Sequence, residues 1–211
     1  MTAVATRRKQ LESARREAAG CRRCGLYRNA TQTVFGEGRA GAPVVLVGEQ
    51  PGDVEDEEGR PFVGPAGRLL RALLAEAGIE EREIYLTNAV KHFKWRPQGK
   101  RRIHDKPNAS EIRACDHWLR LELVLVGPRL VVCLGATAAQ ALLGRDARVT
   151  ALRGRALDPA ELDSPVLVTL HPSAVLRGGA RRDELRAQLG ADLVVARDAL
   201  RARSVETRGR G

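Results

Sequence analysis

The sequence lacks any apolar run long enough to cross a membrane. Its first ten residues, MTAVATRRKQ, also lack the apolar segment of a signal peptide. These two absences predict a cytoplasmic protein that has no association with membranes. No internal repeat is present, and 211 residues with 43% hydrophobic content suffice for one substantial core. We therefore expect a monomer with a single domain over residues 1–203 and a disordered tail over residues 204–211.

Cysteine is scarce: the chain has four, at Cys21, Cys24, Cys115 and Cys133. In a reducing compartment, the C-x-x-C spacing of the first two favours metal or redox chemistry over a structural disulfide. This spacing alone leaves zinc, an iron–sulfur cluster and a redox pair open. Cys133 lies within the apolar run 130–134, so we interpret it as a small buried hydrophobic residue.

Acidic residues are fewer than basic ones. Lys and Arg number 36 against 26 Asp and Glu, which gives a formal net charge of +10. A surplus of this size favours a polyanionic partner, because basic side chains that neutralise phosphates release condensed counterions. The charge alone does not distinguish DNA from RNA, from an anionic membrane, or from a basic surface that keeps the protein soluble.

Four short apolar runs alternate with helical patterns along the chain. The runs are nearly continuous, as expected of strands covered on both faces, and span residues 44–47, 84–86, 130–134 and 166–170. The helical patterns span 66–77, about 111–126, 135–143 and 183 to about 203. Gly78 is a natural stop, and Asn108 with Glu111 forms a capping box. The alternation predicts an α/β fold: a three-layer sandwich in which helices flank a central, mainly parallel, four-stranded sheet.

Polar side chains follow three of these strands, at the edge where open α/β sheets bind their ligands. GEQPGD begins at Gly48 after the first strand, Thr87-Asn88 follows the second, and His171-Pro172-Ser173 follows the fourth. A carboxylate, an amide and a histidine therefore converge on one edge. This set suits a chemical site, although ordinary turn residues give a similar pattern.

Taken in order, these segments resemble the uracil-DNA glycosylases, especially the iron–sulfur group called family four. The resemblance runs from about Cys21 to Arg177 and rests on CRRC, GEQPGD, GRPFVG from Gly59, Thr87-Asn88 and HPSAVLR. Where the family usually has a cysteine after its Thr-Asn motif, this chain has His92. GEQPG together with the KRRIH segment 100–104 is similar to the subgroup called UdgX, whose members trap uracil-containing DNA as a covalent adduct.

The resemblance implies a pocket for a uracil that is flipped out of single-stranded or double-stranded DNA. Phe62 would stack on the base, and Asn88 would hydrogen-bond its polar edge, because an amide offers a donor and an acceptor together. Gln50 is grouped with these uracil-binding residues without an assigned role. Five further residues are expected to bind DNA or to position loops: Pro51, Gly52, Arg102, Ser173 and Arg177.

Three residues are implied as catalytic. His171 would donate to uracil O2, and Glu49 would support the sugar cation or orient the nucleophile. His104 would attack the sugar C1′ in place of water and leave the protein joined to DNA. Two other hypotheses stay open: a multiple-turnover glycosylase in which His104 binds phosphate, and a non-catalytic iron–sulfur DNA-binding protein.

The resemblance also favours a [4Fe-4S] cluster, with the ligands Cys21, Cys24, His92 and Cys115. Cys133 is the competing fourth ligand, and a zinc ion in the same pocket stays open.

Two further segments are interpreted as loops. Residues 91–107 are expected to form a long functional or disordered loop, in which Trp95 stacks on nucleic acid or pins the loop to the body. The acidic run 55–58 is expected to be a solvated loop and helix start.

Overall fold

A computed structural model describes the backbone of residues 3–208 and the side chains of residues 4–202. The strands in this part of the chain are β1 (Glu37–Gly38), β2 (Val44–Gly48), β3 (Ile84–Asn88), β4 (Trp95–Gln98), β5 (Arg101–His104), β6 (Leu130–Leu134), β7 (Ala156–Leu157) and β8 (Val166–Thr169). The helices are α1 (Ala3–Ala19), α2 (Asp53–Glu58), α3 (Pro65–Ala77), α4 (Ala109–Val126), α5 (Ala136–Leu143), α6 (Val149–Leu152), α7 (Pro172–Leu176) and α8 (Arg182–Arg208). No helix among the described residues is both long and apolar enough to span a bilayer.

The main sheet has the strand order β1-β3-β2-β6-β8-β7. Its four central strands are parallel, as predicted, and every residue in them is buried. The predicted four-stranded sheet is extended by β1 and β7, which are two residues long and antiparallel to their neighbours. Strands this short carry no detectable periodicity, so they could not be predicted from the sequence.

Helices cover both faces of this sheet, which confirms the three-layer architecture. Because successive strand residues point to opposite faces, Val45 and Val47 pack with α1, α4 and α5, whereas Val44 and Leu46 pack with α3 and α8. The polar helix α1 was not predicted. It contributes Leu11 and two alanines to the core, too few large apolar residues to stand out in the sequence.

The predicted helix ends agree closely with the structure. Gly78 follows α3 with a φ of 77°, a left-handed conformation that favours glycine. Asn108 caps α4: its Oδ1 accepts from the Glu111 N–H at 3.0 Å, and the Glu111 carboxylate accepts from the Asn108 N–H at 2.7 Å. Helix α8 continues to Arg208, five residues beyond the predicted end at Arg203. The predicted disordered tail is therefore helical over residues 204–208, and its last three residues lie outside the described part of the chain.

Residues 91–107, predicted as a loop, contain the hairpin β4–β5. Trp95 pairs with His104, and Pro97 pairs with Arg102. Pro97 is tolerated because each strand of an isolated hairpin has an unpaired edge, and Gly99 begins the two-residue turn with a φ of 58°. The proline, the glycine and the dense positive charge hid these strands from pattern analysis.

A buried ion pair holds the end of β3 against α4. The Lys91 Nζ lies 2.5 Å from the Glu122 Oε2, and both side chains are fully inaccessible. The ammonium also donates to the Thr87 hydroxyl and the Asn88 carbonyl, each at 2.7 Å. Glu122 accepts further hydrogen bonds, including one from the Tyr85 hydroxyl at 3.0 Å. Both charges are therefore compensated within the core.

We expect Lys91→Met to lower the free energy of unfolding by about 3–5 kcal/mol, because it leaves the Glu122 carboxylate buried without its countercharge. Urea unfolding followed by circular dichroism measures the change. The double variant Lys91→Met, Glu122→Gln is the control. It removes both charges and keeps an oxygen that accepts from the Tyr85 hydroxyl, so it should restore much of the loss. A single variant as stable as the wild type would contradict the assigned role of the pair.

Candidate active site

A cavity of about 290 Å³ opens at the carboxyl ends of the parallel strands. Nine residues singled out in the sequence line it: Glu49, Gln50, Gly52, Phe62, Asn88, His104, His171, Ser173 and Arg177. Pro51 and Arg102 are not among the residues that line this cavity. The structure thus brings the carboxylate, the amide and two histidines to one edge of the sheet.

Phe62 and Asn88 form the inner wall of this cavity, on either side of Gly48. A β-carbon at Gly48 would lie 2.3 Å from the Asn88 Oδ1 and 2.6 Å from the Phe62 Cζ, so a larger residue would displace both side chains. Phe62 has a φ of 57°, which is rare for a bulky residue and persists only where the surroundings impose it. A β-carbon at Gly67 would overlap the Phe62 carbonyl, so glycine is needed there too.

His171 is held as a neutral donor. Its Nδ1 accepts a hydrogen bond from the Ser173 N–H at 3.1 Å, which leaves the proton on Nε2. Burial lowers the pKa of His171 to about 4, so the ring is neutral at pH 7. The ring centre lies 6.3 Å from that of Phe62. A flat ligand that contacts Phe62 would therefore have a neutral imidazole N–H beside it.

The Glu49 carboxylate joins His104 to helix α5. Its Oε1 lies 3.2 Å from the His104 Nε2, and its Oε2 accepts from the Thr137 hydroxyl. Burial raises the pKa of Glu49, but the hydrogen bonds from His104 and Thr137 outweigh that effect and hold the pKa below its usual value. Glu49 is therefore an ionised carboxylate at neutral pH that orients the imidazole.

Thr137 was missed in the sequence. It follows β6, the one predicted strand whose carboxyl end was not considered, so the same reasoning applied to that strand would have found it. Glu55 was missed as well: it lines the cavity, and its Oε1 accepts from the Gly64 N–H at 2.9 Å. A β-carbon at Gly52 would lie 2.6 Å from the Glu55 Oε2, which explains the glycine there.

Gln50 holds the hairpin in place. Its amide donates to the carbonyl oxygens of Lys94 and Asp105, each at 3.1 Å, and accepts from the Lys94 N–H at 3.2 Å. These bonds tie down the chain immediately before β4 and immediately after β5. Gln50 was predicted among the uracil-binding residues, but its amide is hydrogen-bonded to the backbone at both ends of the hairpin. Gln50 therefore holds the hairpin that carries His104.

Arg102 anchors the same hairpin to α2. Its guanidinium lies 2.5 Å from the Asp53 carboxylate, 2.6 Å from that of Asp56 and 3.2 Å from that of Glu57. Of the two predicted roles, DNA binding and loop positioning, these contacts fit loop positioning. The prediction of a solvated acidic run over residues 55–58 was wrong in part, because Glu55 and Asp56 are buried. The basic partner of Asp56 is remote in sequence, so its burial could not be foreseen.

The predicted cluster ligands lie near one another at the amino end of α4. Burial raises the pKa of the Cys115 thiol to about 11, with smaller increases from the neighbouring Cys24 and Cys21. The Lys91 N–H lies 3.3 Å from the Cys115 Sγ, and the Trp118 indole N–H lies 3.2 Å from the Cys21 Sγ. Hydrogen bonds of this kind stabilise sulfur ligands in iron–sulfur sites.

The donor set fits an iron–sulfur cluster. The His92 Nε2 is hydrogen-bonded to the Thr33 hydroxyl at 2.9 Å, whereas its buried Nδ1 has no partner among the described residues. A cavity of about 210 Å³ is lined by both His92 and Cys21. No group of three or more His, Cys, Asp or Glu within the described chain converges tightly enough for a single metal ion.

Cys133 lies apart from this donor set. It pairs with Val47 and Val168 in the middle of the sheet and is fully buried in the core. Burial raises its pKa to about 12. These contacts match the expectation of a small buried hydrophobic residue.

Comparison with known proteins identifies relatives over most of the chain. The family described as "Uracil DNA glycosylase superfamily" matches residues 35–193. The type-4 uracil-DNA glycosylase of Thermotoga maritima is 39% identical over 182 residues, which cover 86% of this chain and 90% of the relative. That of Pyrobaculum aerophilum is 37% identical, over 80% of this chain and 86% of the relative. The type-5 enzyme of Thermus thermophilus is 36% identical over 52% of this chain and 53% of the relative.

Proposed function

Because the chain belongs to the uracil-DNA glycosylase superfamily and to its type-4 group, we propose that it excises uracil from DNA and remains covalently attached through His104. The observation that carries the proposal is the contact between His104 and Glu49 inside the cavity. An imidazole held by a carboxylate beside a base-sized cavity is placed as a nucleophile or its activator.

Base recognition rests on Phe62 and Asn88. The flipped uracil stacks against the Phe62 ring, and the Asn88 amide pairs with the uracil N3–H and O4. Cytosine presents the opposite donor and acceptor pattern at that edge, so the same amide disfavours it. The close packing of both side chains around Gly48 supports this assignment, because it fixes their relative positions.

Bond cleavage uses His171 and Glu49. As the C1′–N1 bond breaks, its electron pair moves onto uracil, and the neutral His171 donates its Nε2–H toward the O2 on which negative charge develops. The ionised Glu49 stabilises the positive charge that develops on the sugar. The depressed pKa values of both residues support these roles, because they keep His171 neutral and Glu49 charged at pH 7.

Covalent capture follows from the position of His104. A ring nitrogen gives its lone pair to C1′, so a new N–C1′ bond replaces the bond to uracil. The imidazole thereby becomes cationic and loses its remaining N–H proton, for which Glu49 is the adjacent acceptor. The product is an N-glycosidic link with no easy hydrolytic exit, so each protein molecule reacts once.

A second candidate is an ordinary glycosylase in which Glu49 directs a water molecule to C1′. The relatives cited above are all called uracil-DNA glycosylases, and none of these names mentions covalent attachment. The His104 side chain is 50% exposed, which also fits a residue that contacts a DNA phosphate.

One experiment separates these candidates. The purified protein is mixed with a uracil-containing single-stranded oligonucleotide, boiled and run on a denaturing gel, and a thymine-containing strand serves as control. We expect a slow, heat-resistant band with uracil alone. Free DNA that breaks on alkali treatment would instead establish the water-directed reaction.

We further propose that Cys21, Cys24, His92 and Cys115 hold a [4Fe-4S] cluster. When bound, the cluster would cross-link the residues before β1 to the segment after β3 and to α4, and we assign it no step in the reaction. Histidine is an uncommon but known ligand in such clusters. The unpartnered, buried Nδ1 of His92 supports its place in the set.

We expect His92→Ala to weaken the visible absorbance of the purified protein, because the cluster loses one ligand. Cys133→Ala is the matched control and should keep the absorbance of the wild type. Iron content measured on the same samples checks the result independently. An intact cluster in His92→Ala, with its loss in Cys133→Ala, would reverse the choice of ligand.

A further inference from the structure

We propose that DNA flanking the uracil runs over a basic surface made by Arg22, Arg23, Tyr27, Arg28 and Arg96, called here the cysteine-side surface. The inference rests on the proposed function, because it takes uracil-containing DNA as the substrate. It adds the path of the strand outside the cavity and the side chains that bind it.

The first observation is a stack of arginines on an aromatic ring beside the C-x-x-C segment. The guanidinium carbons of Arg22 and Arg28 lie 5.5 Å and 5.8 Å from the centre of the Tyr27 ring. Both arginines are exposed, and Tyr27 is half-buried. Stacking on the ring reduces the freedom of the two long side chains, so less entropy is lost when they bind a phosphate.

The second observation is that this segment is joined to the hairpin that carries His104. The Trp95 indole N–H donates to the Asn29 carbonyl at 2.9 Å, and the Arg102 guanidinium donates to the Thr31 hydroxyl at 3.2 Å. Trp95 pairs directly with His104 across the two strands. The cysteine-side surface is therefore continuous with one rim of the cavity.

The third observation is that charges are sorted between the two faces of the hairpin. Arg102 and His104 share the face that contacts the body, whereas Arg96 and Arg101 alternate with them and are exposed. The nearby carboxylates form ion pairs with Arg102, on the face that contacts the body, and with Lys94 beside the hairpin.

The arginines of the cysteine-side surface form no ion pair with a carboxylate among the described residues. Within the part of the chain that the structure describes, the ion pairs include none of the arginines of the cysteine-side surface. Charge that no carboxylate compensates is available to phosphates.

A strand that places one base in the cavity must leave it on two sides. The rim at α7 carries Arg177 and the partly exposed Leu176, and the rim at the hairpin leads to the cysteine-side surface. Exposed arginines ordered by an aromatic ring suit the backbone of this strand, because each phosphate that they neutralise releases counterions. An acidic protein would match the charge, but the strand that leaves the cavity already brings its phosphates to this rim.

The test uses the triple variant Arg22→Gln, Arg23→Gln, Arg28→Gln. Its affinity for a thymine-containing single strand is measured at several salt concentrations, so the result does not depend on uracil excision. We expect roughly tenfold weaker binding, and a salt slope lower by about two, since each single-strand phosphate contact contributes about 0.7. Arg145→Gln, Arg148→Gln is the control, because these exposed arginines lie beyond the end of α5 that points away from the cavity. It removes two charges, as many as the Arg28→Gln, Arg96→Gln variant described next.

A second measurement locates the surface on the strand. Strands with uracil near the 5′ end or near the 3′ end are compared by their reaction rates at low, subsaturating DNA concentration. The triple variant should react more slowly than the wild type with one of these strands and equally fast with the other. Visible absorbance shows whether the proposed cluster is intact in the triple variant. The double variant Arg28→Gln, Arg96→Gln repeats the binding test without a substitution between Cys21 and Cys24. Unchanged binding of the thymine strand, or equal losses at both ends, would overturn the proposal. Loss of uracil excision alone would count against the proposed function and not against this surface.

Discussion

Replacing His104 with serine is expected to abolish the heat-resistant protein–DNA adduct and to convert the protein into a multiple-turnover glycosylase. Serine removes the imidazole lone pair that captures C1′ and leaves space for water beside Glu49. Glu49, His171 and the base-binding residues are unchanged, so bond cleavage should continue. Denaturing gels measure the adduct, and release of uracil in excess over protein measures turnover.

His117→Ser is the matched control for this experiment. His117 lies on α4, where its ring packs against Trp118, and it does not line the cavity. That variant should form the adduct at the wild-type level. If His104→Ser still forms a heat-resistant adduct, His104 is not the nucleophile. If it forms none but also releases no uracil, the imidazole contributes to cleavage and not only to capture.

The hairpin explains why a histidine on an exposed segment can act with precision. Gln50 fixes both ends of the hairpin, and Arg102 on β5 pairs with the buried Asp56. Glu49 then orients the ring directly. These contacts come from the segment after β2 and from α2. One stretch of chain therefore carries Glu49 and also the residues that hold the hairpin of His104 in place.

The fold was largely predictable because its signals are local. The four central strands are continuous apolar runs, and the ends of α3 and α4 are marked by Gly78 and by the Asn108 cap. The convergence of Glu49, Asn88 and His171 followed from one rule, that parallel strands place their carboxyl ends on one edge. None of these inferences needs contacts between residues that are distant in sequence.

The supporting contacts could not be predicted because they are distant in sequence. The Gln50 amide binds backbone groups of Lys94 and Asp105, and no sequence pattern distinguishes it from an amide that reads a base. The burial of Asp56 depends on Arg102, which only the hairpin brings near. The residue types of the site could therefore be predicted from the sequence. The sequence could not distinguish the side chains that face the cavity from those that hold them in place.

Replacing His171 with alanine is expected to slow uracil release by about 10²–10³-fold, the usual effect of removing one donor to a developing negative charge. The effect should fall on the single-turnover rate and not on binding, because the hydrogen bond strengthens only as the C1′–N1 bond breaks. The measurement is made in the His104→Ser background, where the imidazole of residue 104 does not contribute. A reduction below about tenfold would show that His171 is not the principal donor to the leaving uracil.

The pH dependence of the same rate tests the protonation states. Burial places the pKa of His171 at about 4, below the ordinary histidine value. Above pH 5 His171 keeps its neutral, donating form, so the rate should be level through the range in which an ordinary histidine titrates. It should fall as pH drops through about 4, where His171 gains a charge. Folding shares this sign: the unfolded chain binds the His171 proton first, so acidification from about pH 6.5 to 4 destabilises the native state. Unfolding measured at each pH separates that loss from the loss of activity, and a rate that changes around pH 6.5 in fully folded protein would contradict the neutral, buried His171.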